Sequence, residues 1–200
     1  MENWLRLKFP KTNWETSSPV RVIGFRRGSL PVLFNHLGFK TGAEIGVCQG
    51  AYSKCLCDSI PELSLFCIDS WKPYEPFIRK RSQEVQDKNL SMAKELLAGF
   101  KATFIKKYSM EAVKDIPNES LDFVYIDGNH RYGFVKEDLW EWGKKVRVGG
   151  ILSGHDYYEF RSGNKGVVMA VNEYVSAHKI DRWFITDERT PSFFWRKNAD

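Results

Sequence analysis

From about Thr41 onward the chain alternates short apolar runs with stretches of helical period, and this alternation limits the folds open to it more than any other feature. Five apolar runs come first: 43–47 (AEIGV), 63–69 (LSLFCID), 102–107 (ATFIKK), 121–127 (LDFVYID) and 149–154 (GGILSG). Between them, Leu90, Ala93, Leu97 and Phe100 make one face of a helix over 82–100, and Val135, Leu139, Trp142 and Val146 one face of a second over 132–146. Repetition of this kind builds βαβ units on a mostly parallel sheet with helices on its faces. A third helix over 165–178 groups Val168, Val171 and Val175. Two β-rich runs follow, 182–188 and 192–197, separated only by Arg189, Thr190 and Pro191; so short a connection predicts an antiparallel hairpin that closes the sheet.

Two hundred residues with 42% hydrophobic content are enough for one well-buried core. We expect an α/β chain with a single domain over 29–200. Residues 1–28, rich in Trp, Pro, Ser and Arg, show no period and read as an N-terminal extension or cap. No run approaches the roughly 18 apolar residues of a membrane span, so a soluble, cytoplasmic protein is expected. Cys48, Cys55, Cys57 and Cys67 lack zinc spacing and read as reduced, buried thiols. A net charge of +5 on scattered Lys and Arg disfavours a nucleic-acid partner, and the cluster Arg79, Lys80, Arg81 reads as a solvated helix start.

Two places concentrate chemistry. The first is the turn after the first strand, AEIGVCQGAYSK, with an acid at Glu44 and glycines at Gly46 and Gly50. Glycines where a strand enters a helix let backbone approach a ligand closely. The spacing is E-x-G-x-x-x-G and not the G-x-G-x-x-G that seats a pyrophosphate, which argues against a nicotinamide or flavin dinucleotide. Asp69 ends the second strand, at a distance suited to gripping a ribose diol; it could equally cap the strand, with Trp71 as ordinary packing. The second place is FVYIDGNHRY (123–132) with VGGILSGHDYY (148–158), where two strand ends carry Asp127 and His130, and His155 and Asp156. Two carboxylates and two imidazoles at neighbouring strand ends point to chemistry. Turn formation at 127–129 and helix capping by His130 or Asp156 are the plainer alternatives.

Taken together, AEIGVCQGAYS, FCIDSW, YSMEAV, LDFVYIDGNHRY and VGGILSGHDY resemble the class I S-adenosylmethionine-dependent methyltransferases, in particular the small-molecule O-methyltransferase group that includes macrocin and catechol O-methyltransferases. The resemblance runs from about residue 41 to the C-terminus. It implies a Rossmann-like, seven-stranded, mostly parallel sheet with a reversed final hairpin, and S-adenosylmethionine as cofactor. On that resemblance Glu44, Gly46 and Gly50 line the methionine end, Asp69 holds the ribose and Ser109 with Met110 flank the adenine. Tyr52, Ser53, Ser70, Trp71 and Asp127 complete the expected cofactor contacts.

The resemblance also implies O-methylation of a small molecule or glycan, with His130 as general base beside Asp127; an imidazole, with an ordinary pKa of about 6.5, suits deprotonation of an alcohol. Asp127 and Asp156 match the Mg²⁺ or Mn²⁺ ligands of metal-dependent members. His155, the third candidate ligand, stands where several relatives carry an acid; Mg²⁺ binds imidazole poorly, which leaves open Mn²⁺, fewer ligands or no metal. The loops 71–77 and 156–165 offer acceptor contacts, with Tyr157, Tyr158 and Arg161 as candidates. The resemblance leaves a homo-oligomer open. Competing readings are a non-catalytic binding module on the same fold and a nucleotide-dependent oxidoreductase.

Overall fold

The computed structural model describes residues 1–73 and 82–198. The cluster Arg79 to Arg81 and residues 74–77 of the first acceptor loop lie outside them. The described residues form one eight-stranded sheet in the order β1-β7-β8-β6-β5-β2-β3-β4. In chain order these are β1 (Val20–Val22), β2 (Thr41–Ile45), β3 (Ser64–Asp69), β4 (Lys101–Lys106), β5 (Leu121–Ile126), β6 (Val146–Gly154), β7 (Phe184–Thr186) and β8 (Phe193–Arg196). The helices are α1 (Glu2–Lys8), α2 (Leu30–His36), α3 (Ala51–Ser59), α4 (Gln83–Leu96), α5 (Ser109–Ala112), α6 (Tyr132–Gly143) and α7 (Gly166–Ala177). All neighbouring strands run parallel except at β8, which pairs antiparallel with both β6 and β7.

The seven expected strands are present, and the eighth, β1, comes from the segment that showed no period. Its three residues pair with 184–186 at the sheet edge. Such a strand is too short for alternation to be visible, and only its distant partner makes it one. Because helices cover both faces, the inner strands β2 and β5 are buried on both sides, which is why their runs read as nearly continuous apolar sequence, while the edge strand β4 has no fully buried residue. In β5, Phe123 and Tyr125 join the core shared with α2 and α3, while Val124 and Ile126 join the core under α6 and α7. Each fully buried Phe of this kind contributes about 1.5–3 kcal/mol. Phe123 stacks on Phe34 of α2 at 4.5 Å between ring centroids.

Two helices end earlier than their sequence pattern suggests. α4 starts at the Ser82 cap, whose hydroxyl accepts from the Val85 N–H, and stops at Leu96, so Phe100 lies beyond it and is exposed. α6 stops at Gly143 and Val146 opens β6, three residues before the expected strand. A register irregularity opposite Leu121–Phe123 accommodates those residues. On α7 the buried stripe is Val167, Ala170, Val171, Tyr174 and Val175, with Val168 only half-buried. Of the four cysteines, all free, Cys57 and Cys67 are buried, Cys55 is intermediate and Cys48 is exposed, against the expectation for all four.

Chain order places the crevice. The chain runs outward from β2 through β3 to β4, then returns to lay β5 on the other side of β2. In an open parallel sheet that reversal opens a crevice at the carboxyl ends of the two strands. Ladder bonds continue past the strand ends there: the N–H of Asp127 donates to Ile45 O at 2.7 Å, and that of His155 to Ile126 O at 2.9 Å.

Candidate functional site

At the β2 end, Glu44 points into the face covered by α3 and is almost wholly buried, accepting a hydrogen bond from the Ser53 hydroxyl. Burial, only partly offset by Ser53, pushes its carboxyl up to about 8. Gly46 follows with φ +95°, and a Cβ there would lie 2.2 Å from the Asp127 carbonyl oxygen. No side chain fits, so the glycine turn packs directly on the Asp127 turn at the carboxyl ends of β2 and β5. Gly50 starts α3 from a left-handed conformation. Across the crevice Asp69 accepts from two backbone N–H groups, Cys48 at 3.0 Å and Trp71 at 2.9 Å. An ionised carboxylate has about four acceptor positions, so Asp69 retains capacity for a diol.

The other residues expected on this side divide into exposed and supporting ones. Trp71 is fully buried: its indole N–H donates to Cys48 O at 2.9 Å and its ring packs on Phe104, so it braces the turn from below and offers no face to a ligand. Ser53 is likewise buried beneath Glu44, and Tyr52 lies under Arg27. Ser70 and Met110 are half-buried at the rim. Ser109 is held from both sides, donating to Asp138 and accepting from Trp142 Nε1 at 2.7 Å. Burial pushes Asp138 up to about 7, against the Ser109 hydrogen bond.

The ends of β5 and β6 bring the acids and imidazoles together. His130 Nε2 lies 3.1 Å from Asp156 Oδ2 and 3.9 Å from Asp127 Oδ1. His155 Nδ1 lies 3.1 Å from Asp156 Oδ1. Asp156 sits at φ +60°, which turns its carboxylate back between the two rings. Burial would raise its pKa, but the hydrogen bond and charge of His155, with His130 and Arg27, outweigh burial and keep it below the usual carboxylate range. Among the described residues the set whose ligand atoms converge, all within 4.8 Å, is Asp127, His130 and Asp156; His130 takes the place expected for His155.

Sequence gave no sign of the residue that binds this cluster most tightly. Arg27, in the 3-10 turn Arg27–Ser29 after β1, reaches Asp127 Oδ2 with its NH2 group at 2.6 Å. Its guanidinium lies over the Tyr52 ring at 4.1 Å and near Tyr125 at 5.2 Å, and its Nε is buried without a hydrogen-bond partner. Glu188 accepts from its backbone N–H at 2.7 Å, tying the turn to the hairpin. Three of the four carboxylate oxygens of Asp127 and Asp156 thus face a nitrogen already, and one of these nitrogens belongs to a permanent cation, so a divalent ion in the cluster would have to displace Arg27 or sit against its charge. Asp138 did carry a signal: an acid three residues after Val135, on the buried face of α6.

Beyond His130 the chain forms an open depression of about 410 Å³ lined by Tyr158, Phe160, Arg161, Ser162, Arg189 and Thr190. Phe160, in the expected acceptor loop but not among its named candidates, joins it to the cluster, stacking on His130 at 5.2 Å and packing tilted against Tyr158 at 4.3 Å between ring centroids. Neither Arg161 nor Arg189 makes an ion pair among the described residues. Tyr157 turns the other way, with its hydroxyl on Asn172 and its ring against Trp183.

A family model described as a methyltransferase domain matches residues 43–157. The uncharacterized protein y4gI of Sinorhizobium fredii is 25% identical over 117 residues, which are 56% of this chain but only 12% of that protein. Among solved structures, the O-methyltransferase NovP superposes with a TM-score of 0.63 at 19% identity, covering 89% of this chain and 82% of NovP. An O-methyltransferase from Bacillus cereus in complex with SAH gives 0.62 at 14% identity, covering 86% and 80%.

Proposed function

Since the chain belongs to the methyltransferase-domain family, we propose that it transfers a methyl group from S-adenosylmethionine to a hydroxyl oxygen of a small molecule or glycan. The observation that carries this reading is the contact of Gly46 with the Asp127 carbonyl, which packs the glycine turn directly on the Asp127 turn of the acid–imidazole cluster. The donor set suits the cofactor: a buried carboxyl at Glu44 for the methionine ammonium, open acceptor positions on Asp69 for the ribose and no phosphate cradle. When bound, S-adenosylmethionine supplies an activated methyl group on a sulfonium.

The chain's own part is to place the acceptor oxygen in line with that methyl group and to take its proton. Asp156 Oδ2, 3.1 Å from His130 Nε2, accepts that N–H, fixes the ring and leaves the Nδ1 lone pair for the hydroxyl proton. The same carboxylate then stabilises the imidazolium. Phe160 holds the other face of the ring. The acceptor's outer portion lies in the depression beyond Phe160, where Tyr158 offers a stacking face, and Arg161 and Arg189 favour an acceptor with negative charge. No step passes through a metal ion. No helix among the described residues is long and apolar enough to cross a membrane.

The test is His130→Ala, assayed with a library of neutral and anionic hydroxylated acceptors. Turnover should fall about 10²–10⁴-fold, while calorimetric binding of S-adenosylhomocysteine stays at the wild-type level. Near-normal turnover would remove His130 from the role of base.

A further inference from the structure

We propose that Arg27 is the resident cation of the Asp127–His130–Asp156 cluster and occupies it in place of a divalent metal. The two aspartates and the imidazole converge as metal ligands do, within 4.8 Å. The shortest contact to any of them comes from the guanidinium, 2.6 Å from Asp127 Oδ2. Asp156 has its oxygens on His155 and His130, each at 3.1 Å. The fourth carboxylate oxygen, Asp127 Oδ1, lies 3.9 Å from both His130 Nε2 and His155 Nδ1 and belongs to a group already neutralised by Arg27, so an ion there would meet a fixed positive charge across a single carboxylate.

The placement is built in. Tyr52 and Tyr125, packed together with ring centroids 4.3 Å apart, present an aromatic surface under the guanidinium that suits a flat, delocalised cation better than a hydrated ion. Glu188 and the Tyr52 hydroxyl hold the backbone on either side of the same residue. Guanidinium keeps its charge at every working pH and cannot be removed by a chelator. Arg27 therefore acts as a positioning residue that fixes the Asp127 carboxylate and supplies the positive charge the cluster needs. The acid and imidazole pattern of a metal-assisted site is thereby kept without the ion.

The experiment is a Mn²⁺ titration of chelator-stripped protein, followed by the electron paramagnetic resonance of free Mn²⁺. Wild type and Arg27→Lys, which keeps the charge, should take up no stoichiometric ion. Arg27→Met, which covers the same rings without charge, should bind one Mn²⁺ at least about 100-fold more tightly than wild type. Arg27→Met combined with Asp127→Asn should lose it again. Circular dichroism and a thermal melt identify the folded variants. One tight Mn²⁺ in wild type that disappears in Asp127→Asn would overturn the proposal, as would a folded Arg27→Met that binds none. The readout is metal uptake and not turnover, so it stands whatever becomes of the methyl-transfer assignment.

Discussion

Glu44→Gln separates what the buried acid costs the fold from what it contributes to the site. Burial, opposed by the Ser53 hydrogen bond, moves the Glu44 carboxyl from its ordinary 4.5 up to about 8. Between those values the folded chain holds a proton that the unfolded chain releases, so stability declines as pH rises from about 4.5 and levels off above about 8. At 1.36 kcal/mol per pKa unit, going from pH 5 to pH 8 removes about 3–4 kcal/mol from wild type. Glutamine matches the protonated acid in shape, can still accept from Ser53 and does not titrate. Asp138, also raised, to about 7, is present in both proteins and cancels in the difference. Urea unfolding followed by circular dichroism at pH 5, 6, 7 and 8 measures the gap, which should widen steadily in favour of Glu44→Gln. The variant should also bind S-adenosylmethionine more weakly at pH 8, where wild type gains the carboxylate that pairs with an ammonium. Two stability curves that ran parallel over this range would refute the burial argument.

Gly46→Ala should destabilise the fold by at least about 2 kcal/mol and abolish binding of S-adenosylhomocysteine by calorimetry, because its Cβ would lie 2.2 Å from the Asp127 carbonyl at a φ that disfavours side chains. Ser109→Ala strips Asp138 of its donor and Trp142 of its acceptor; denaturant melts should show a loss of about 1–3 kcal/mol, growing above pH 7 as Asp138 ionises without its partner. Asp122 accepts from the backbone N–H groups of Lys40 and Thr41 and from Arg147 Nε. Burial pushes its carboxyl up, but these donors outweigh burial and lower it below 3.8. Wild type should therefore exceed Asp122→Ala by about 1–3 kcal/mol near neutrality, with the advantage fading as pH falls through the lowered value in an acid titration of stability.

The parallel sheet and the order of its elements were legible because doubly buried strands leave continuous apolar runs and the helices between them leave stripes such as Val135, Leu139 and Trp142. The ends were less so. Val146 continues the α6 stripe in sequence but begins β6, since a helical period cannot register a stop set by tertiary pairing. The cluster of Asp127, His130 and Asp156 was visible because its members stand within four residues of the ends of β5 and β6. Arg27 was not, being 100 positions from Asp127 and brought there by a three-residue strand with no pattern of its own. Trp71 shows the opposite case: a residue adjacent in sequence to a site can be fully buried beside it, here with its indole N–H on Cys48 O.

The pairing of Val20–Val22 with Phe184–Thr186 also imposes an order on synthesis. A nascent chain that has already made β2 through β6 carries Glu44, Asp69, Asp127, His130 and Asp156, yet β1, made before all of them, still lacks its partner strand. Only when β7 leaves the ribosome can β1 dock and swing Arg27 onto Asp127. Until then the two aspartates stand together without their counter-charge, and the crevice is assembled last from the two ends of the chain.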